Sequence, residues 1–200
     1  MKPWHTLNCE IKESFRPDWK FPENRTTNHN IFDKGIKGIF HFKANSIFNQ
    51  AWLSYLENIE LGKAVNCVAF YKPPHYNIDN AHIDRNTTNL TTVAIYGVNL
   101  IFDDDRSDMV WYNLPAEKPI KPFTDNLFTP YEMWTASSLE EVSRTVLPNN
   151  KMTLVRTDIP HAIFTGNSGR WCISIRFKDR PELDSWEAVE KAFEHLIEDK

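Results

Sequence analysis

Ile159-Pro160-His161-Ala162-Ile163-Phe164-Thr165-Gly166-Asn167-Ser168-Gly169-Arg170-Trp171-Cys172-Ile173-Ser174-Ile175-Arg176-Phe177 reads as two short strands, 162–164 and 170–177, with a Gly-rich hairpin turn at 166–169 between them. Side chains alternate across a strand, so Arg170, Cys172, Ser174 and Arg176 share one face, and the apolar Trp171, Ile173, Ile175 and Phe177 share the other. His161 opens the first of these strands, just after Pro160.

The same punctuation continues outward. Residues 152–156 form another strand, and upstream of them a Pro-rich linker at 115–130 leads into a mixed polar segment. Before the linker come strands at 65–71, 81–84, 91–102 and 109–114, rich in β-branched and aromatic residues. Pro73-Pro74 and the turn at 103–106 separate some of them. Residues 36–42 make a short strand, and Ser46 caps a helix whose Phe48, Trp52, Leu53, Leu56 and Ile59 recur at helical spacing up to Gly62. At the other end, 185–198 is helical, with Trp186, Val189, Phe193 and Leu196 on one face. Residues 1–35 are irregular and are expected to wrap the domain through Trp4, Phe15, Trp19 and Phe21. A helix, about eight strands, then a helix fits a mainly β sandwich or barrel with helical buttresses.

Two hundred residues suit a single domain, and seven Trp, thirteen Phe and six Tyr argue for a packed or ligand-lined interior. A net charge of -4 lacks the basic footprint of a nucleic-acid binder. Cys9, Cys67 and Cys172 have neither CxxC spacing nor an even count, which points to a reducing setting, and no apolar run is long enough to span a membrane. A cytoplasmic location is therefore expected; nothing in the chain indicates an oligomeric state.

Chemistry concentrates at Ala81-His82-Ile83-Asp84. In an extended segment His82 and Asp84 point the same way, so both can reach one ion. Two imidazoles and a carboxylate on one face of an octahedral ion leave three positions open, as non-haem Fe(II) oxygenases require, and His161 is the candidate second imidazole. The acidic run Asp103 to Asp105 lacks ligand spacing and reads as a solvated turn.

With these residues in view, the chain resembles the Fe(II)/2-oxoglutarate-dependent dioxygenase superfamily over about residues 65–177. That superfamily carries HxD on an early strand of a double-stranded β-helix and its third ligand on a late one. Eight residues separate His161 from Arg170, a spacing similar to that between the distal histidine and the residue anchoring the far carboxylate of 2-oxoglutarate. The resemblance implies a jelly-roll, cupin-like barrel with flanking helices, one domain spanning 1–200 with an N-terminal wrap over 1–62. It also implies Fe(II), 2-oxoglutarate and O2, with His82, Asp84 and His161 as metal ligands and catalytic residues, and Arg170 with Ser174 on the co-substrate. The activity implied is hydroxylation of an unactivated C–H bond in a small molecule or a protein side chain, releasing succinate and CO2. A carboxylate at 84 implies hydroxylation rather than halogenation.

The prolyl-hydroxylase-like branch is nearest. Phe70-Tyr71 resembles that branch's co-substrate tyrosine, and Ile95-Tyr96-Gly97-Val98-Asn99 resembles its IYYLN-type strand, with Gly97 departing where a second tyrosine stands. Tyr71 and Asn99 are thereby co-substrate candidates, and Tyr96 a pocket residue. Arg170 and Arg176, with five residues between them, are similar to the paired arginines of AlkB-type nucleic-acid demethylases, so oxidative demethylation is the alternative, against which the acidic pI weighs. Arg176 is also an alternative co-substrate anchor. A non-enzymatic cupin-like binding protein is the remaining alternative. His75 and Trp111 are candidate substrate contacts, with Trp171 and Tyr112 as possible pocket walls; His5, His29, His41 and His195 read as ordinary histidines.

Overall fold

The computed structural model describes residues 2–11, 13–21, 38–77, 79–84, 93–103, 107–116, 131–178 and 180–198. The polar run 24–30, the start of the expected strand 91–102, residues 104–106 of the acidic turn and residues 117–130 of the linker lie outside them.

The described residues form two antiparallel sheets. One runs β1 (Trp4–Thr6), β9 (Met152–Arg156), β5 (Tyr96–Asp103), β11 (Arg170–Phe177), β3 (Ala64–Lys72), β2 (Gly38–Lys43) in spatial order. The other runs β7 (Tyr131–Thr135), β4 (Asn80–Asp84), β10 (His161–Phe164), β6 (Asp108–Tyr112), β8 (Glu141–Val146). The sheets face each other and do not close into a continuous barrel. Ile101, Val155 and Cys172 of the first sheet pack with Met109, Trp111 and Ile163 of the second, forming the layer between them. On its outer side the first sheet buries Val98, Leu100, Leu154, Ile173 and Ile175 against the helices, including Trp52, Leu56, Trp186 and Phe193. Both faces of β11 are thus used, one for the helices and one for the space between the sheets.

The glycine-rich turn at 166–169 is not a hairpin. β10 bonds to β4 and β6, whereas β11 bonds to β3 and β5 in the opposite sheet, so the turn carries the chain across the layer. It is tied instead to the loop after β3: Thr165 Oγ1 donates to the Pro73 carbonyl at 2.6 Å and accepts from the Tyr76 amide at 2.7 Å. Local turn chemistry signals a reversal but does not say which sheet the next strand joins.

Other expectations shift in detail. The first helix divides into α1 (Ala44–Ile47) and α2 (Gln50–Asn58), and the side chain that caps the longer piece is Asn49, accepting from the Trp52 amide at 2.8 Å, rather than Ser46. The last helix is shorter than 185–198: α3 (Trp186–Ala192), capped by Ser185, gives way to a 3-10 turn at Glu194–Leu196. Its apolar face is buried as expected. The N-terminal leader contributes β1, which pairs with β9, while Phe15, Trp19 and Phe21 pack on the helix-side core. β7 and β8 come from the segment read as mixed and polar. β8 is an edge strand with exposed Val142 and Val146, and Arg144 on it pairs with Asp108 and Glu141, so no apolar alternation marks it. No described helix is long and apolar enough to cross a membrane.

The cap assignment carries an expected outcome: Asn49→Ala lowers unfolding free energy in urea by about 0.5–2 kcal/mol, whereas Ser46→Ala stays within about 0.5 kcal/mol of wild type.

Candidate metal centre

Antiparallel pairing of β4 with β10 sets His82 directly opposite His161. Cross-strand partners stand about 4.5–5.5 Å apart at Cβ, close enough for two side chains to share one ion. The imidazole centroids are 4.4 Å apart. Asp84, two residues along β4 on the same face, brings Oδ1 to 3.5 Å from His82 Nε2. All three donors lie within 4.8 Å of one another. Two ligands each about 2.1 Å from one ion are about 3.0 Å apart at 90° and about 3.5 Å apart at 110°, so the 3.5 Å between His82 and Asp84 is within small side-chain adjustment of a shared metal.

The backbone holds these groups in place. At the end of β4 the Asp84 amide donates to the Thr157 carbonyl at 3.2 Å, and its own carbonyl accepts from Ala94 at 3.0 Å. His161 Nδ1 lies 3.1 Å from the Ile159 carbonyl, which can only accept; Nδ1 therefore carries the proton and Nε2 presents its lone pair. Trp111 backs His161 as its register partner, wholly buried, with its indole N–H donating to the Arg156 carbonyl at 3.0 Å.

Burial alone would push the Asp84 carboxyl up; the charges of Arg176, His161 and His82, with the Arg176 hydrogen bond, outweigh it and hold the group at about 2. Asp84 is consequently a carboxylate throughout the neutral range and surrenders no proton on meeting a cation. Cys172, buried on the facing strand, is pushed up to about 12 by that burial and stays a neutral thiol. The resulting donors are two imidazoles and one carboxylate, a set that fits a divalent ion such as Fe(II) or Zn(II).

β11 presents Arg170, Cys172, Ser174 and Arg176 toward the layer between the sheets. Arg176 donates from Nη2 to Asp84 Oδ2 at 3.1 Å, which places it at the metal end. Arg170, 1% exposed, sits at the opposite end of the strand and pairs in register with Lys72, itself 6% exposed. Ser174 and Asn99 are buried register partners between those ends.

Other candidates fall elsewhere. Tyr71 packs in the helix-side core with its ring 5.2 Å from Trp171, and Tyr96 meets Phe193 at 5.6 Å on that same side. Neither faces the triad, because each is one residue out of phase with the inward positions of its strand. His75 is exposed, held at φ 54° with its amide donating to the Gly166 carbonyl at 2.8 Å, beside the β10–β11 turn rather than beside Asp84. His5 and His195 have structural partners, Glu190 at 2.7 Å and the Ile59 carbonyl at 3.1 Å. Sequence reasoning missed Lys72, whose ammonium lies 4.1 Å from the Tyr76 ring centroid; its one legible signal was a strand-end position in phase with Phe70 and Val68.

Anaerobic titration of the metal-free protein with Co(II), followed by visible absorption, is expected to saturate at one equivalent per chain. His161→Ala should weaken that binding by more than the roughly 10- to 100-fold typical of outer-sphere changes. No family model and no curated protein matches the chain.

Proposed function

We propose that the protein is an Fe(II)- and 2-oxoglutarate-dependent oxygenase that hydroxylates an unactivated C–H bond. The observation that carries this reading is the convergence of His82, Asp84 and His161 on the inner face of one sheet, opposite a strand that carries a buried arginine at its far end. The strand order supports a double-stranded β-helix: β3, β5, β9 and β11 share one sheet, β4, β6, β8 and β10 share the other, and the chain passes repeatedly between them.

When bound, Fe(II) with 2-oxoglutarate and O2 supplies the oxidising power that places hydroxyl on the substrate, with succinate and CO2 as co-products. The chain's own contribution is to fix geometry and charge. His82, Asp84 and His161 would hold the ion through two imidazoles and one carboxylate, a donor set that would leave positions for other ligands. Arg170, buried and in register between Lys72 on β3 and Asp103 on β5, is the cation whose planar fork suits the distal carboxylate of a keto diacid. Arg170 is the anchor in this reading, because Arg176 is engaged with Asp84. Ser174 and Asn99 are poised along the path between the metal and Arg170.

Arg170 and Arg176 lie in phase on one strand, the arrangement that also suits an AlkB-like demethylase, in which the same hydroxylation acts on an N-methyl group. An assay of succinate release with Fe(II) and 2-oxoglutarate therefore needs amino acids, peptides, nucleotides and an alkylated oligonucleotide as separate arms. Succinate formation that depends on one arm and disappears in Asp84→Ala supports the oxygenase reading. Anaerobic protein that develops no visible charge-transfer absorption on adding Fe(II) and 2-oxoglutarate contradicts it and favours a non-enzymatic binding protein. Arg170→Leu is expected to weaken 2-oxoglutarate binding by about 30-fold or more, since losing one side of a buried charged pair costs about 2–5 kcal/mol, and titration of that absorption measures the change.

A further inference from the structure

The two oxygens of Asp84 have different neighbours. Oδ1 lies 3.5 Å from His82 Nε2, on the side where the donors converge, and Oδ2 accepts from Arg176 Nη2 at 3.1 Å. Arg176 belongs to β11 and Asp84 to β4, so this contact bridges the two sheets at the metal end of the layer. Both side chains are 17% exposed, which shields the contact from solvent without enclosing it. Among the described residues Arg176 Nε is buried without a hydrogen-bond partner, leaving the Asp84 contact as the polar interaction that orients the guanidinium.

Room for that guanidinium comes from Gly97 on β5. A Cβ there would stand 3.5 Å from Arg176 Nη1, 3.6 Å from Ser174 Oγ and 3.7 Å from Val155 Cγ2. Gly62 is a glycine with positive φ, whereas Gly97 has ordinary strand backbone, so conformational strain gives no reason for a glycine at 97. What its missing side chain provides is space, a familiar role for glycine inside a strand. An alanine would make ordinary contacts; the extra carbons of a valine would enter the volume that the guanidinium needs.

We propose that Arg176, seated over Gly97, is a positioning residue of the metal centre that holds Oδ2 of Asp84 and so offers Oδ1 alone to the ion. This rests on the metal-binding reading of the triad and not on the choice of co-substrate. A carboxylate turns easily about its terminal torsion, and an untethered Asp84 can chelate through both oxygens or rotate away. Bonded to Arg176, it contributes one donor and preserves three open positions on a six-coordinate ion. Two effects of Arg176 oppose each other: its charge repels the ion, while its hydrogen bond orders the ligand. The proposal is that ordering wins.

Anaerobic calorimetric titration with Mn(II), on wild type and four variants, decides the point, with Co(II) absorption reporting coordination. Arg176→Gln should weaken binding by about 10- to 100-fold. Arg176→Lys, which keeps a single donor, should recover part of the loss. Gly97→Val should bind like Arg176→Gln and share its altered Co(II) spectrum although the arginine is retained, while Gly97→Ala stays near wild type. If Arg176→Gln does not fold by circular dichroism, the lysine and alanine variants carry the comparison, the lysine weaker and the alanine unchanged. Binding as tight as or tighter than wild type in the folded Arg176 variants overturns the tether and leaves the metal site standing. A wild-type protein that takes up no divalent ion removes the site and the tether together.

Discussion

The pairing of β4 with β10 is the constraint on which the site depends. Because His82 and His161 are register partners, their imidazoles meet across neighbouring strands without help from a mobile loop. A one-residue slip would send His82 to the outer face, where Ala81, Val110, Tyr112 and Ala162 now pack, and would bring Ile83 inward. The apolar identity of Ala81 and Ile83 therefore protects the metal ligands: burying those two residues on the outer face fixes the register that presents His82 and Asp84 on the inner one.

That arrangement places charge where a protein interior ordinarily excludes it. Asp84, Arg176, Arg170 and Lys72 lie against a layer that also holds the apolar Ile101, Met109, Trp111, Leu147, Val155, Ile163 and Cys172. Burying ionised groups is costly unless they are paired, and Asp84 pairs with Arg176 across the layer while Arg170 stands in register with Asp103. The cations stand at the two ends of β11, Arg176 engaged with Asp84 at the triad and Arg170 beside Lys72 at the other. Cys172 and the polar Ser174 and Asn99 lie between those ends, and burial there strengthens the electrostatic interactions around them.

Much of the strand pattern was legible because β3, β5, β9, β10 and β11 carry β-branched or aromatic runs bounded by Gly, Pro and Asp. The triad was legible as well: HxD is compact in sequence, and His161 is marked by its distance from Arg170. What escaped was whatever depends on partners remote in the chain. The turn after Phe164 looks like a hairpin because its glycines report only a change of direction. β8 lacks an apolar face because it is an edge strand, and Lys72 drew no notice in the sequence because its neighbour Arg170 on β11 is remote in the chain. Tyr71 and Tyr96 were selected by resemblance to a motif, whereas strand phase turns both toward the helices. Gly97 stood out as a departure from that motif, and its neighbour Arg176 supplies a physical reason for it.

The central claim is that His82, Asp84 and His161 bind one ion together. X-ray absorption at the iron edge of the anaerobic Fe(II)-loaded protein tests it most directly. The account predicts a six-coordinate first shell of nitrogen and oxygen scatterers at about 2.0–2.2 Å, with the outer-shell signature of two imidazoles that falls to one in His82→Ala. A sulfur shell near about 2.3 Å, or a spectrum unchanged in that variant, would contradict it.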